Sequence, residues 1–98
     1  MLRSSIEIFN IRTRENRVLW QTEQLFEAPN WSPDGRYLML NCDGRMYRLA
    51  LEEMSAPQPV DTGFAIRCNN DHGISPDGTL IAISDKCEFD KSAIYVLP

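Results

Sequence analysis

The sequence predicts an all-β chain of repeated antiparallel sheets, and three observations carry that reading. A four-residue turn, Ser32-Pro33-Asp34-Gly35, returns 43 residues later as Ser75-Pro76-Asp77-Gly78. An apolar–aromatic–x–apolar run occurs three times, as Ile8-Phe9-Asn10-Ile11, Met46-Tyr47-Arg48-Leu49 and Ile94-Tyr95-Val96-Leu97. No segment offers a capped helical period over about 10–12 residues. Leu49 to Met54 is the nearest helical candidate, and Ser55-Ala56-Pro57 stops it. Self-similarity at a fixed period marks a repeat architecture, in which stacked units bury each other's faces.

The tetrapeptide makes physical sense as a turn. Proline in the second position pre-sets φ, aspartate tolerates the third, and glycine accepts the left-handed conformation that follows. Each copy follows a bulky apolar residue, Trp31 or Ile74. Each precedes a short β-forming run, Tyr37-Leu38-Met39-Leu40 or Leu80-Ile81-Ala82-Ile83, so both read as tight hairpins. The aromatic runs supply the next strand. One is reached through a tight Asp43-Gly44 turn and another through a longer connection, Asp85 to Ser92. Lengthening one surface loop costs little, so the unequal spacing leaves the repeat intact. Weaker strands fall at Arg17-Val18-Leu19-Trp20 and Gln58-Pro59-Val60-Asp61. Prolines at 57 and 59 suit an outer edge.

Labelled A to D from the inside of a unit outward, the strands come in the order C-D, A-B-C-D, A-B-C. The expected organisation is a single segment, residues 1–98. Outer strands C and D occupy 1–22, a complete unit 23–63, and strands A to C of a further unit 64–98.

Composition excludes several classes. Hydrophobic residues are 43% and charged residues 24%, ordinary for a globular chain and unlike a disordered one. The net charge of −4 is interspersed, which offers nucleic acid no basic footprint. No run approaches the roughly 18 apolar residues of a membrane span. Residues Met1 to Ser5 show no apolar leader, and a cytoplasmic location is expected, periplasmic only if a leader was removed. Cys42, Cys68 and Cys87 form neither a CxxC nor an even framework. They are expected to be buried or half-buried free thiols, with no zinc site and no cofactor.

The stretch "APNWSPDGRYLMLNCDGRMYRLAL" resembles the repeat of TolB-like, or PD40 (WD40-like), β-propellers. Their blades carry a W-S-P-D-G hairpin and an I-Y-x-L-type third strand, and the resemblance covers nearly the whole chain. It implies a β-propeller segment of four-stranded antiparallel blades. In the second copy Ile74 stands where the first has Trp31, and Asn69-Asn70-Asp71-His72 makes an unusually polar first strand. The resemblance implies fold more firmly than function. Related propellers also stand beside the hydrolase domain of prolyl oligopeptidases, but this chain has no G-x-S-x-G elbow.

Propellers close with about four to eight blades, and two cannot close alone. The expectation is a ring completed by oligomerisation, a homotrimer of six blades built from an engineered or excised segment. Nine strands exceed the eight of two blades. One aromatic third strand, Ser5–Ile11 or Ser92–Leu97, should then be displaced where copies join. Trp31 is expected in the packed core between blades.

The polar cluster Asn69, Asn70, Asp71 and His72 falls on an innermost strand, where a propeller has its channel. It is the candidate ligand site, for a cation, a protein or peptide, or a polar ligand, against the plainer reading of a wet channel lining. Asp34 and Asp77 are explained by their turns, so no catalytic residue is assigned. Asp85, Glu88 and Asp90 cluster in a loop that Lys86 and Lys91 interrupt, which favours a solvated loop over a calcium site. The functions in contention are a non-enzymatic self-assembling scaffold, a protein- or peptide-binding propeller, and the propeller of a hydrolase whose catalytic domain lies elsewhere.

Overall fold

The structure is a computed structural model that describes residues 1–51 and 56–98. Nine strands and no helix occur among the described residues: β1 (Ser4–Phe9), β2 (Asn16–Thr22), β3 (Phe26–Trp31), β4 (Tyr37–Cys42), β5 (Arg45–Ala50), β6 (Gln58–Pro59), β7 (Cys68–Ile74), β8 (Ile81–Asp85) and β9 (Ala93–Leu97). They form three antiparallel meanders, β1-β2, β3-β4-β5-β6 and β7-β8-β9. Two, four and three strands is the grouping that the turn and strand signals predict. Of the helical candidate, Leu49 and Ala50 belong to β5, and residues 52–55 lie outside the described residues.

The two repeated tetrapeptides fold alike. In the first, the Gly35 N–H donates to the Ser32 carbonyl and the Ser32 N–H to the Tyr37 carbonyl, both at 2.9 Å. The Ser32 hydroxyl donates to Asp34 Oδ1 (2.7 Å) and accepts from the N–H groups of Arg36 and Tyr37 (3.1 Å each). In the second, Ser75, Asp77, Gly78 and Leu80 repeat the pattern at 2.7–3.0 Å. Gly35 and Gly78 sit at φ 73° and 76°, where a Cβ is strained. The β4–β5 turn uses Asp43 (φ 50°) and Gly44 (φ 80°), the two positive-φ residues of a type I′ hairpin.

β4 organises the core because both of its faces are covered. Leu38, Leu40 and Cys42 join Ile6, Leu19, Phe26 and Leu49 between the first and second sheets. Met39 joins Met46, Ala65, Cys68 and Ile83 between the second and third. A strand covered on both faces reads as a continuous apolar run instead of an alternating one, as 37–40 does. β6 is two residues long and pairs only with Tyr47 and Arg48, an edge where the prolines lose no ladder bond.

Two side chains depart from expectation. Trp31 is 56% exposed, not packed between blades. It pairs with Leu38 and so shares the face turned toward the first sheet. That sheet has only β1 and β2 among the described residues. A cleft of about 180 Å³ opens there instead, lined by Glu7, Ile8, Phe9, Pro29 and Leu38. Asp85, expected in a solvated loop, ends β8 with no exposed surface. Its carboxylate accepts the N–H groups of Arg67 (2.7 Å) and Cys87 (2.9 Å). Burial alone would raise its pKa, and those donors outweigh burial and hold it below the usual carboxylate value.

Candidate functional site

The polar side chains gather where β3 and β4 of the second sheet meet β7 of the third. Glu27 pairs with Asn41 and Asn30 with Met39, and the register shifts between them. Met39 and Asn41 both face the third sheet, so one extra residue in β3 brings Glu27 and Asn30 to that same face. In an unbroken strand, residues three apart point to opposite faces. Ala28, inside the shift, takes φ 54° to allow it. β7 is irregular over the matching stretch, between Cys68 and His72.

A relay of side chains crosses the junction. The Asn70 Nδ2 donates to Glu27 Oε2 (3.3 Å), and the Asn41 Nδ2 donates to Asn70 Oδ1 (2.8 Å). Asn41 Oδ1 lies 2.8 Å from His72 Nε2, and Asn30 Oδ1 makes a short contact with His72 Nδ1. Asn69 turns the other way, donating to the hydroxyls of Ser84 (3.0 Å) and Ser92 (3.1 Å) and accepting the Asp71 N–H (2.9 Å). Burial holds the His72 pKa below the ordinary histidine value, against the opposing pull of the Asp71 carboxylate.

The structure thus separates the sequence-predicted cluster. Asn70 and Asp71 are exposed, while Asn69 and His72 are half-buried. Asn69, Asn70 and Asp71 line an open cleft of about 420 Å³ with Glu27, Asn41, Asp43, Gly44 and Cys68. His72 is bonded into the sheet junction instead. The cleft offers three carboxylates and three side-chain amides, an environment for a cationic, donor-rich group. Among the described residues no group of three or more His, Cys, Asp and Glu is placed to hold a metal ion. Sequence reasoning missed Glu27, Asn30 and Asn41. Asn41 carried a readable signal, because an amide in a doubly covered apolar strand requires a buried partner.

The remaining candidates have structural roles. The two repeated turns lie side by side around a cleft of about 360 Å³ lined by Ser32, Pro33, Asp34, Tyr37, Asp77 and Gly78. Asp34 Oδ1 accepts from Ser32 and Arg36, and Asp77 Oδ1 from Ser75 and Thr79. The Ser75 hydroxyl and the Thr79 donors bring the Asp77 pKa down to about 2, and the Ser32 hydroxyl lowers that of Asp34. Ser75 and Pro76 close the second turn. All three cysteines are free. Burial raises the Cys68 pKa to about 11 and raises that of Cys42, which keeps both thiols protonated and unreactive near neutrality.

No family model matches the chain. An uncharacterized protein of Agrobacterium fabrum (strain C58) is 72% identical over 97 residues, which are 99% of this chain and 33% of that protein. A solved structure of a "putative TolB" from Agrobacterium tumefaciens superposes with a TM-score of 0.97 at 71% identity, over the whole of this chain and 35% of that one. The chain therefore spans about a third of the length of the relatives it matches. At that similarity, with antiparallel sheets of two to four strands throughout, the fold is that of a TolB-like β-propeller segment.

Proposed function

We propose that the chain is a non-enzymatic structural module, a two-blade portion of a β-propeller whose part is to build a ring with further blades. The observation that carries this reading is apolar surface left bare in two places. On the face of the second sheet turned toward the first, the Trp31 cleft stands open. On the outward face of the third sheet, Leu80, Ile94 and Val96 are 42%, 67% and 62% exposed. Ile94 precedes Tyr95 as Met46 precedes Tyr47, yet Met46 is 1% exposed because the third sheet covers it. The repeat has the same face in both places, covered in one and bare in the other. Bare apolar sheet faces drive association.

Self-assembly as a homotrimer of six blades is the form we favour for this chain on its own. Two blades are a third of six, so three copies would complete such a ring, as would further blades in a polypeptide of the relatives' length. Light scattering tests this directly, with a mass near three times 11.3 kDa expected. A well-folded monomer would exclude self-assembly and leave the remaining blades to a longer polypeptide. The free thiols accord with a reducing compartment such as the cytoplasm.

A second reading, a propeller that binds protein or peptide through its channel face, draws on the cleft formed by Glu27, Asp43, Asp71 and the three asparagines. Its acidic lining favours a lysine- or arginine-bearing peptide. Calorimetric titration should give saturable heat with a basic peptide and none with an acidic one of equal length. Equal responses, or none, would remove this reading.

A further inference from the structure

We propose that the Glu27–Asn70–Asn41 relay locks His72 in its Nε2–H tautomer and leaves Asn30 as the one amide that turns over when the ring takes up a proton, so that the contact between the second and third sheets is a proton-responsive latch. The direction of each bond follows from its anchor. A carboxylate only accepts, so Asn70 must present its Nδ2 to Glu27. That leaves the Asn70 Oδ1 to accept from Asn41 Nδ2, and turns Asn41 Oδ1 toward His72 Nε2. An oxygen there requires a proton on Nε2. No such anchor fixes Asn30. Its amide has no bond to any other described side chain, and its oxygen and nitrogen exchange places by a half-turn. With the ring neutral, Nδ1 carries a lone pair, and the amide turns from the Oδ1 contact of the structure to present its Nδ2. With the ring charged, Nδ1–H donates and the Asn30 Oδ1 serves it.

The direction of the response follows from the surroundings. The charged groups that line the adjoining cleft are Glu27 on β3, Asp43 at the β4–β5 turn and Asp71 on β7, while Asp85 ends β8 opposite Cys68. No cation lines the cleft. Burial opposes a charged ring and the Asp71 carboxylate favours it, with burial the larger effect. A histidine with its folded-state pKa below its unfolded value contributes stability that is present above the unfolded value and lost as pH falls through the folded one. The latch is tight at neutral pH and loosens in acid.

His72 is the only histidine of the chain, so its ring signals are unambiguous. Long-range proton–nitrogen correlation across a pH titration should show a single Nε2–H tautomer at neutral pH and a ring pKa below about 6.5. Asn30→Asp places a carboxylate against Nδ1 and should raise that pKa by at least about one unit. Glu27→Gln, an exposed change, releases the polarity of the relay and should give a tautomer mixture. His72→Gln should remove the loss of melting temperature between about pH 7 and pH 5. An Nδ1–H ring at neutral pH would overturn the proposal, as would tautomers in Glu27→Gln identical to the parent. A ring pKa indifferent to Asn30→Asp would do the same. Should Asn30→Asp fail to fold, the parent and Glu27→Gln spectra still decide.

Discussion

The two sheet junctions are built by different physics. The first, between β1-β2 and the second sheet, is a cluster of aliphatic and aromatic side chains. Ile6, Leu19, Phe26, Leu38, Leu40 and Leu49 fill it, with Tyr47 edge-on to Phe26 at 5.2 Å between ring centroids. The second has a smaller core of Met39, Met46, Ala65, Cys68 and Ile83, and adds a polar relay and a backbone bond, Cys68 N–H to Gly44 carbonyl at 2.9 Å. Apolar burial is non-directional and holds whatever shapes are brought to it. A relay of amides and an imidazole has one geometry and one polarity. The first junction therefore supplies adhesion, and the second also fixes register and responds to protons.

The largest effect should come from the one glycine that the second junction cannot do without. A Cβ on Gly44 would meet the Ile66 carbonyl oxygen at 2.3 Å and the Arg67 Cα at 3.2 Å, and its φ of 80° is already costly for any other residue. Gly44→Ala should destabilise by roughly 3 kcal/mol or more, combining steric overlap with left-handed strain. Gly35 is the control. It has φ 73° with nothing within 4 Å, so Gly35→Ala should cost only about 1 kcal/mol. Equal melting temperatures for the two variants would show that the close approach of turn and linker contributes nothing.

Next comes the first junction. Leu40 is 1% exposed at its centre, and Leu40→Ala should cost about 2–5 kcal/mol. The loss should be the same near pH 5 and pH 7, because no titratable group touches the argument. A pH-dependent loss would mean that the two junctions are coupled through β4, whose faces they share.

How much of this was legible in the sequence follows the same division. Local chemistry was readable: two Ser-Pro-Asp-Gly hairpins, the Asp43-Gly44 turn, the aromatic third strands and the prolines of an outer edge are each set by residues a few positions apart. The partners of His72 were not, because Asn30 and Asn41 lie 42 and 31 residues away and meet it only after the sheets stack. The β3 bulge was hidden too, since Ala28-Pro29-Asn30 carries no glycine to announce a positive φ. Asp85 looked like loop because Lys86 follows it. Its backbone partners come from Arg67 and Cys87, one of them across a strand pair. Trp31 shows the limit from the other side. Its place on the strand was readable, but its burial depends on how far the first sheet, two strands among the described residues, covers it.

That exposure sets a smaller prediction. Removing an aromatic from a packed core costs about 3–5 kcal/mol, but Trp31 is more than half solvated, and Trp31→Ala should cost under about 1 kcal/mol in the isolated chain. In an assembly whose next blade covers the cleft, the same substitution should weaken association instead of folding. Fluorescence separates the cases. Trp20 is half-buried in the first junction, so the water-exposed part of the parent emission should vanish with Trp31. A loss of several kcal/mol in the monomer would show that the indole is packed after all.

The smallest effect, and the sharpest test of the second junction's geometry, is at Ala28. Its φ of 54° is the backbone adjustment that brings Glu27 and Asn30 to one face. An L-residue there carries about 1–2 kcal/mol of strain that glycine does not. Glycine in turn gives the unfolded chain more freedom, which costs about 0.4–1 kcal/mol. Ala28→Gly should therefore leave stability unchanged or raise it by up to about 1 kcal/mol, while keeping the bulge and the environment of the His72 ring. Ala28→Val keeps the strain and adds β-branching, so it should be the less stable of the pair. If valine is accepted as readily as glycine, residue 28 is not in the left-handed region. Glu27 and Asn30 would then point to opposite faces, and the relay could not reach both ends of its span.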